Sequence, residues 1–240
     1  MVQRSASGPN FSPIRVCFLS HGGWFDEDVL ARRMPGGSLD QGPVSYSNNP
    51  ENADIIIVMN YLKYDRVLEA RDGFIWNWHT EPIVRTPFYR GFDRIYTHLD
   101  SRDPRSRVAP PLLDWWVDKS YDSLLTQPVP EKTGKFSVIA STKTAIDGHR
   151  KRDEFIAQVS HDFPEIDVFG RGRGVSLDDK WDGLAPYRYS IAIENSSSEN
   201  YWTEKISDCF LSFTVPIYFG ATNIGDYFPE ESFIWLPLDD

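Results

Sequence analysis

Residues 55–59 read Ile-Ile-Ile-Val-Met, five consecutive apolar positions with no polar residue between them. The run is far too short to span a bilayer as a helix, which takes about twenty apolar residues. A strand that is apolar on both faces belongs in a parallel sheet with helices packed on either side. The segment before it supports the same reading. Residues 14–19 (Ile-Arg-Val-Cys-Phe-Leu) form a second short strand pattern, closed by Ser20-His21-Gly22-Gly23. Residues 24–34 then show helical spacing, with Asp26, Glu27 and Asp28 early and Arg32 and Arg33 late, the arrangement that a helix dipole favours. Strand, glycine-rich turn and helix together open an α/β domain. A helix is expected over 64–70, and further strands over 73–78 and 92–97.

The stretch 126–134 (Thr-Gln-Pro-Val-Pro-Glu-Lys-Thr-Gly) carries two prolines, a glycine and little apolar content, and it reads as a linker. Beyond it the alternation restarts: strands over 136–140, 166–169, 189–194 and 215–219, helices over 152–159 and 202–212. The expected organisation is residues 1–127 as a first Rossmann-like domain, 128–134 as linker and 135–240 as a second. Two parallel-sheet domains in series create a cleft. Ligands of such sheets bind beyond the carboxyl ends of the strands, so the loops after Ser20, Trp78, Ala140, Phe169 and Glu194 should line it.

Composition removes several alternatives. With 40% apolar and 14% aromatic residues in 240, the chain can build a core and is not of a disordered type. The 25 Lys and Arg against 35 Asp and Glu give a net charge of −10, which repels polyanions and argues against a nucleic-acid partner. Local basic clusters at His149-Arg150-Lys151-Arg152 and Arg171-Gly172-Arg173-Gly174 remain suited to one small anion. Cys17 and Cys209, 192 residues apart, fit neither a disulfide framework nor a metal spacing and are expected to be buried thiols. No transmembrane segment is expected. The first dozen residues lack the apolar stretch of a secretory signal, so the expectation is a cytoplasmic chain, with peripheral association at a membrane left open.

The chemistry concentrates in residues 189–205. The apolar strand Tyr189-Ser190-Ile191-Ala192-Ile193 ends in Glu194-Asn195, a polar loop 196–200 follows, and Tyr201-Trp202-Thr203-Glu204-Lys205 opens a helix. Loop amides and a helix start form an anion site. A lysine in a first helical turn is disfavoured by the dipole, so Lys205 is either tolerated there or held by a negative partner, with Glu204 or Asp208 the nearest. Ile206, Cys209, Phe210 and Phe213 would form the apolar face, leaving Glu204, Lys205 and Asp208 to point elsewhere.

The run from Tyr189 to Phe233 resembles the α-1,3/4-fucosyltransferase family. There, an apolar strand ending Glu-Asn precedes Tyr-x-Thr-Glu-Lys on a helix, a Thr-[Val/Ile]-Pro strand with glycine, and an acidic Ser-Phe-Ile tail. All of these elements occur here in order; residues 136–170 resemble the family more loosely. The resemblance implies an inverting glycosyltransferase of the two-Rossmann-domain (GT-B) type that takes GDP-fucose as donor, a glycan as acceptor and no required cofactor or metal. By motif position it implies Glu204 on the ribose hydroxyls, Lys205 on the diphosphate and Tyr201 lining the same pocket. It implies a diphosphate arginine at Arg152, with Arg150 as the competing register. Glu194 and Asn195 are candidates to reach the sugar or phosphate.

Chemistry adds its own demands. Expulsion of GDP builds negative charge that a metal or fixed cations must absorb, and Arg with Lys suits two phosphates. The rival metal pattern, Asp26-Glu27-Asp28, opens a helix, where acids are expected anyway. A base must take the acceptor proton. In Trp76-Asn77-Trp78-His79-Thr80-Glu81-Pro82 the family's glutamate maps on Glu81, with His79 as rival because its unperturbed pKa suits neutral pH. His21 is a further contact candidate, and Trp76, Trp78, Trp115 and Trp116 are candidates to stack on sugar rings. Family members continue past the Ser-Phe-Ile segment, so the second domain is expected to lack the final helices. Two alternatives stay open: a transferase using another nucleotide sugar, and a non-catalytic nucleotide-sugar or glycan-binding module.

Overall fold

The computed structural model describes residues 12–20, 26–60, 73–82, 91–111, 115–142, 146–173 and 175–238. In chain order the elements are β1 (Ile14–Ser20), α1 (Glu27–Arg32), β2 (Val44–Tyr46), β3 (Ile55–Met59), β4 (Phe74–Trp78), β5 (Arg94–Thr97), β6 (Ser106–Val108) and α2 (Tyr121–Thr126). There follow β7 (Gly134–Ile139), α3 (Asp147–Asp162), β8 (Ile166–Phe169), β9 (Tyr187–Ile193), α4 (Glu204–Leu211), β10 (Val215–Phe219) and β11 (Ile234–Trp235).

Two parallel sheets result. The first has six strands in the order β2-β1-β3-β4-β5-β6, the second five in the order β11-β10-β9-β7-β8. β3 lies between β1 and β4, with Ile57 opposite both Phe18 and Trp76. Its residues Ile56 to Met59 are buried, as the unbroken apolar run requires, and Cys17 is a buried free thiol beside them. In the second sheet β9 is central. It faces β7 through Val138 and Ile191 and β10 through Ile217 and Ile191. One side of this sheet packs Val138, Ile156, Ile191 and Ile193 under α3; the other packs Ala192, Ile206, Cys209 and Tyr218 under α4. Burying a side chain of this size contributes about 1.5–3 kcal/mol, so the two faces fix α3 and α4 on opposite sides of β9.

Several expectations change in detail. The expected helix over 152–159 is α3 and begins five residues earlier, so the basic cluster His149–Arg152 lies inside it. α1 is shorter than expected, with Asp26 as N-cap accepting from Val29 N at 2.8 Å. That capping bond occupies one oxygen of the triplet considered for a metal. The expected helix over 64–70, together with His21, lies outside the described residues. Residues 127–133 are irregular, in keeping with their prolines. Among the described residues no helix is long and apolar enough to cross a membrane.

Candidate functional site

In the second sheet the chain runs outward from β7 to β8 on one side and to β9 on the other, so the strand order reverses between β7 and β9. Loops leaving the carboxyl ends of these two strands diverge there, which makes the crevice where open α/β sheets take ligands. The loop after β9 supplies Glu194 to Thr203; the loop after β7 leads into α3. Of the sequence-derived candidates of the second half, Glu194, Asn195, Tyr201, Glu204 and Lys205 lie in or just after the loop that follows β9, and Arg150 and Arg152 lie on α3.

Glu194 is 1% exposed. Its Oε1 accepts from Thr203 N and from Thr203 Oγ1, both at 2.8 Å, and its Oε2 is 3.0 Å from Lys205 Nζ. Its carboxylate therefore caps the start of α4 from outside the helix and is turned away from open solvent. What Glu194 does here is hold Thr203 and Lys205. Lys205 thus has the negative partner that its first-turn position called for. That partner is chiefly Glu194, with Glu204 at 3.7 Å, and not Asp208.

A second lysine, with no motif to announce it, completes the cluster. Lys180 Nζ lies 3.1 Å from Glu204 Oε1 and 2.8 Å from Asp208 Oδ2. Asp208 is 1% exposed, which corrects the expectation of a free-pointing residue. Its Oδ1 accepts from Trp116 N at 2.6 Å and from Val117 N at 3.3 Å. Burial by itself would raise the Glu204 carboxyl, but the Lys180 ammonium, then that of Lys205, outweigh it and hold the group far below the usual carboxylate range. Burial likewise opposes the charge on Lys205, and Glu194 and Glu204 restore it.

The structure separates the two candidate arginines. Arg150 is exposed and pairs with Asp147 at 3.0 Å, an ordinary i,i+3 surface contact. Arg152, two positions on, is 9% exposed and makes no hydrogen bond or ion pair with any described residue. Burial lowers its pKa, while Glu194, Arg173, Glu204 and Tyr201 lie within electrostatic range. Arg173, from the second basic cluster, pairs with Asp153 on the next position of α3. α3 reaches this place because Gly148 lets its first turn touch the loop after β9. A Cβ there would collide with the Asn195 carbonyl oxygen. Asn195 itself accepts from the Tyr201 hydroxyl at 2.7 Å and lies 3.1 Å from His149 Nε2. Tyr201 is 1% exposed, and burial with the nearby Glu194 raises its pKa. Ser198 Oγ and Trp202 Nε1 in the same loop are buried without partners, as is Arg152 Nε. Buried polar atoms are normally satisfied, so Arg152 Nε is a buried donor open to a bound group, while the Trp202 ring packs away from it on the α4 side of the sheet, against Tyr227 and Phe228.

The first sheet approaches this loop. Asn200, held at φ 61, donates from Nδ2 to the His98 carbonyl at 3.1 Å and accepts from Tyr227 OH at 2.7 Å. The His98 ring meets Tyr201 edge-on at 4.9 Å. His79 and His98 are both buried; burial lowers each to about 4, with His98 adding to the effect on His79. A histidine so poised is neutral at pH 7 and a weak proton acceptor. Glu81 stands exposed just past β4, and its charge is among those that raise Tyr201. Of the four tryptophans, Trp78 stacks on Tyr96 at 4.4 Å and Trp76 tilts against the same ring at 5.6 Å. Trp115 donates to Lys119 O at 3.1 Å, and Trp116 is 41% exposed.

Residues 129–237 match the family model described as glycosyltransferase family 10 (fucosyltransferase), C-terminal. This C-terminal region belongs to glycosyltransferase family 10. The family match covers residues 129–134 of the expected linker and the whole second sheet, including Arg150, Arg152, Glu194, Asn195, Tyr201, Glu204 and Lys205. Relatives extend it: over 51 residues, 21% of this chain, there is 45% identity to an alpha-(1,4)-fucosyltransferase of Arabidopsis thaliana, of which 13% is covered. Over 175 residues, 70% of the chain, there is 32% identity to alpha-(1,3)-fucosyltransferase 4 of Bos taurus, of which 38% is covered. The chain thus spans well under half the length of these curated relatives. A crystal structure of an alpha1,3-fucosyltransferase with GDP-fucose superposes with a TM-score of 0.58 over 98% of this chain and 76% of that one, at 18% identity. The fold of that structure is shared along nearly the whole of this chain.

Proposed function

We propose that this chain is an inverting α-1,3-fucosyltransferase that moves fucose from GDP-fucose to a glycan hydroxyl. In this reading residues 1–127 and 135–240 are two Rossmann-like lobes of a GT-B enzyme, acceptor and donor side respectively, joined by 128–134. The observation that carries it is the Arg152 guanidinium, buried and without a hydrogen-bond or ion-pair partner among the described residues, at the strand-order reversal of the family 10 region. An unpaired buried cation is costly, and a diphosphate relieves that cost.

Arg152 supplies a bidentate fork and Lys205 a point charge for the two phosphates, and Glu204 takes the ribose hydroxyls. Glu194 acts through Lys205, keeping its ammonium at the start of α4. Tyr201 and Asn195, bonded to each other, line the wall beside Arg152. In the displacement an acceptor oxygen attacks the anomeric carbon from the face opposite GDP. The bond to the β-phosphate oxygen breaks, its electron pair leaves with GDP, and the configuration inverts. Arg152 and Lys205 absorb the charge that develops on the leaving group. Glu81 takes the acceptor proton: it is exposed at the rim of the first sheet, whereas His79 is buried and neutral with a pKa far below neutrality.

The test is release of GDP from GDP-fucose with and without sugar acceptors, followed by chromatography, alongside GDP binding by calorimetry. Acceptor-dependent release that Glu81→Ala abolishes while GDP still binds supports the enzyme. Binding without any release across an acceptor panel would make the chain a nucleotide-sugar-binding module. Tighter binding of UDP, ADP or CMP than of GDP would reassign the donor.

A further inference from the structure

Three carboxylates and two ammonium groups meet at α4. Glu194 and Asp208 are the sealed ends, with side chains 0% and 2% exposed, while Glu204, Lys205 and Lys180 keep 13%, 23% and 29% of their surface. The open side of the cluster is therefore Glu204 with a lysine on each flank. Lys205 is already committed, bonding Glu194 at 3.0 Å and Thr203 Oγ1 at 2.9 Å. Lys180 is nearer to Glu204, and it stands on an anchored base. Asp208 cannot follow it, because Trp116 and Val117 hold the other Asp208 oxygen. The turn that carries Lys180 is fixed in the same way: Asp179 Oδ1 accepts from Trp181 N at 2.9 Å and from Asp118 N at 2.8 Å.

We propose that Lys180 is a positioning residue for the donor: its ammonium, braced on Asp208, keeps Glu204 ionised and turned to receive the ribose hydroxyls of a nucleoside diphosphate. The proposal rests on the donor reading of Glu204 given above. Without Lys180, a single ammonium would face three carboxylates, with the Arg152 guanidinium in electrostatic range of two of them but not bonded to either. Glu204 would then either take up a proton, because burial and like charges both disfavour its anion, or swing the short distance to Lys205. Each outcome removes the charged acceptor from the ribose. Fixing a binding group through a neighbour that never touches the ligand is how sites reach the geometry that recognition needs.

The experiment compares GDP with 2′,3′-dideoxy-GDP by titration calorimetry on the full chain. A hydroxyl bonded to a carboxylate is worth about tenfold or more in affinity, so the unaltered protein should prefer GDP by at least about tenfold. Glu204→Gln should erase most of that preference. Lys180→Met should reduce it to about twofold or less while its affinity for the dideoxy probe changes by under about threefold, and Lys180→Arg should restore part of it. A merely structural role would weaken both ligands alike and leave the ratio intact, and that result overturns the proposal. Should Lys180→Met fail to fold, Lys180→Gln, which keeps length and hydrogen bonding but not charge, is read by the same ratio. If the unaltered protein shows no preference, or Glu204→Gln keeps it, the donor reading of Glu204 falls, and the role of Lys180 with it. A preference lost in Glu204→Gln but kept in Lys180→Met and Lys180→Gln removes Lys180 alone.

Discussion

The rims of the two sheets handle polar groups in opposite ways. At the end of β9 the second sheet buries charge: Glu194, Asp208 and Arg152 are each 9% exposed or less, and the carboxylates are balanced by Lys205 and Lys180. At the ends of β4 and β5 the first sheet buries neutral groups. Asn77, His79, Thr80 and His98 are all under 4% exposed, and both histidines are held uncharged. The charge of Glu81 stands outside, in solvent. In the proposed reading, a rim that holds a diphosphate keeps fixed cations at the cost of a counter-charge scaffold, and a rim that receives a hydroxyl and passes on one proton needs a single carboxylate.

The sharpest way to break this contrast is Glu81→Gln. It should lower kcat by at least about 10²-fold and leave the Kd for GDP within about twofold, measured by product formation and calorimetry. Unchanged turnover would move the base to His79. Next comes Arg152→Met, which should weaken GDP by about 10- to 10²-fold, the worth of hydrogen bonds to a charged group. The same substitution removes an unpaired buried charge, so the free protein should melt no lower than the parent, and higher if the site repacks. A lowered Tm with intact GDP binding would show that the guanidinium serves the fold. The neutral rim makes its own prediction in pH. Between about 6.5, the ordinary histidine value, and about 4, the unfolded chain binds protons that His79 and His98 in the fold do not. Stability must therefore fall as pH drops through that window, by about 1.4 kcal/mol per unit and histidine. Urea midpoints at pH 7.5 and 5.5 check this, and His98→Gln should flatten the difference. The smallest effect is expected of Arg150→Ala: its exposed pair with Asp147 is worth under about 1 kcal/mol, and GDP affinity should change by less than about twofold.

How far the chain could be read in advance follows from burial. β3 and the carboxyl half of β9, Ile191 to Ile193, are buried on both faces, so their sequences are apolar and announce themselves. β2, β6 and β11 stand at sheet edges with Val44, Val108, Ile234 and Trp235 exposed, and three or fewer residues of mixed polarity leave no pattern to detect. The first turns of α3 are Asp-Gly-His-Arg-Lys, polar on every side, so apolar periodicity places the helix start too late. Within the site, Glu194, Asn195, Tyr201, Glu204 and Lys205 sit in one contiguous motif, which is why sequence finds them together. Which arginine turns inward depends on helix phase and had to await α3 itself. Lys180 was invisible for a different reason. It meets Glu204 and Asp208 across 24 and 28 residues of chain, and a lone lysine between acids carries no local signature of such partners.

Gly148 gives the donor rim a tolerance set by atomic radius. The contact between that residue and the Asn195 carbonyl leaves no room for a methyl group, and Arg152 rides one helical turn further on. An alanine there works as a shim between helix and loop. It would lift the guanidinium off its seat without altering any side chain that the proposed reading assigns to the nucleotide, so that on this reading affinity is governed by a residue with nothing to offer a ligand.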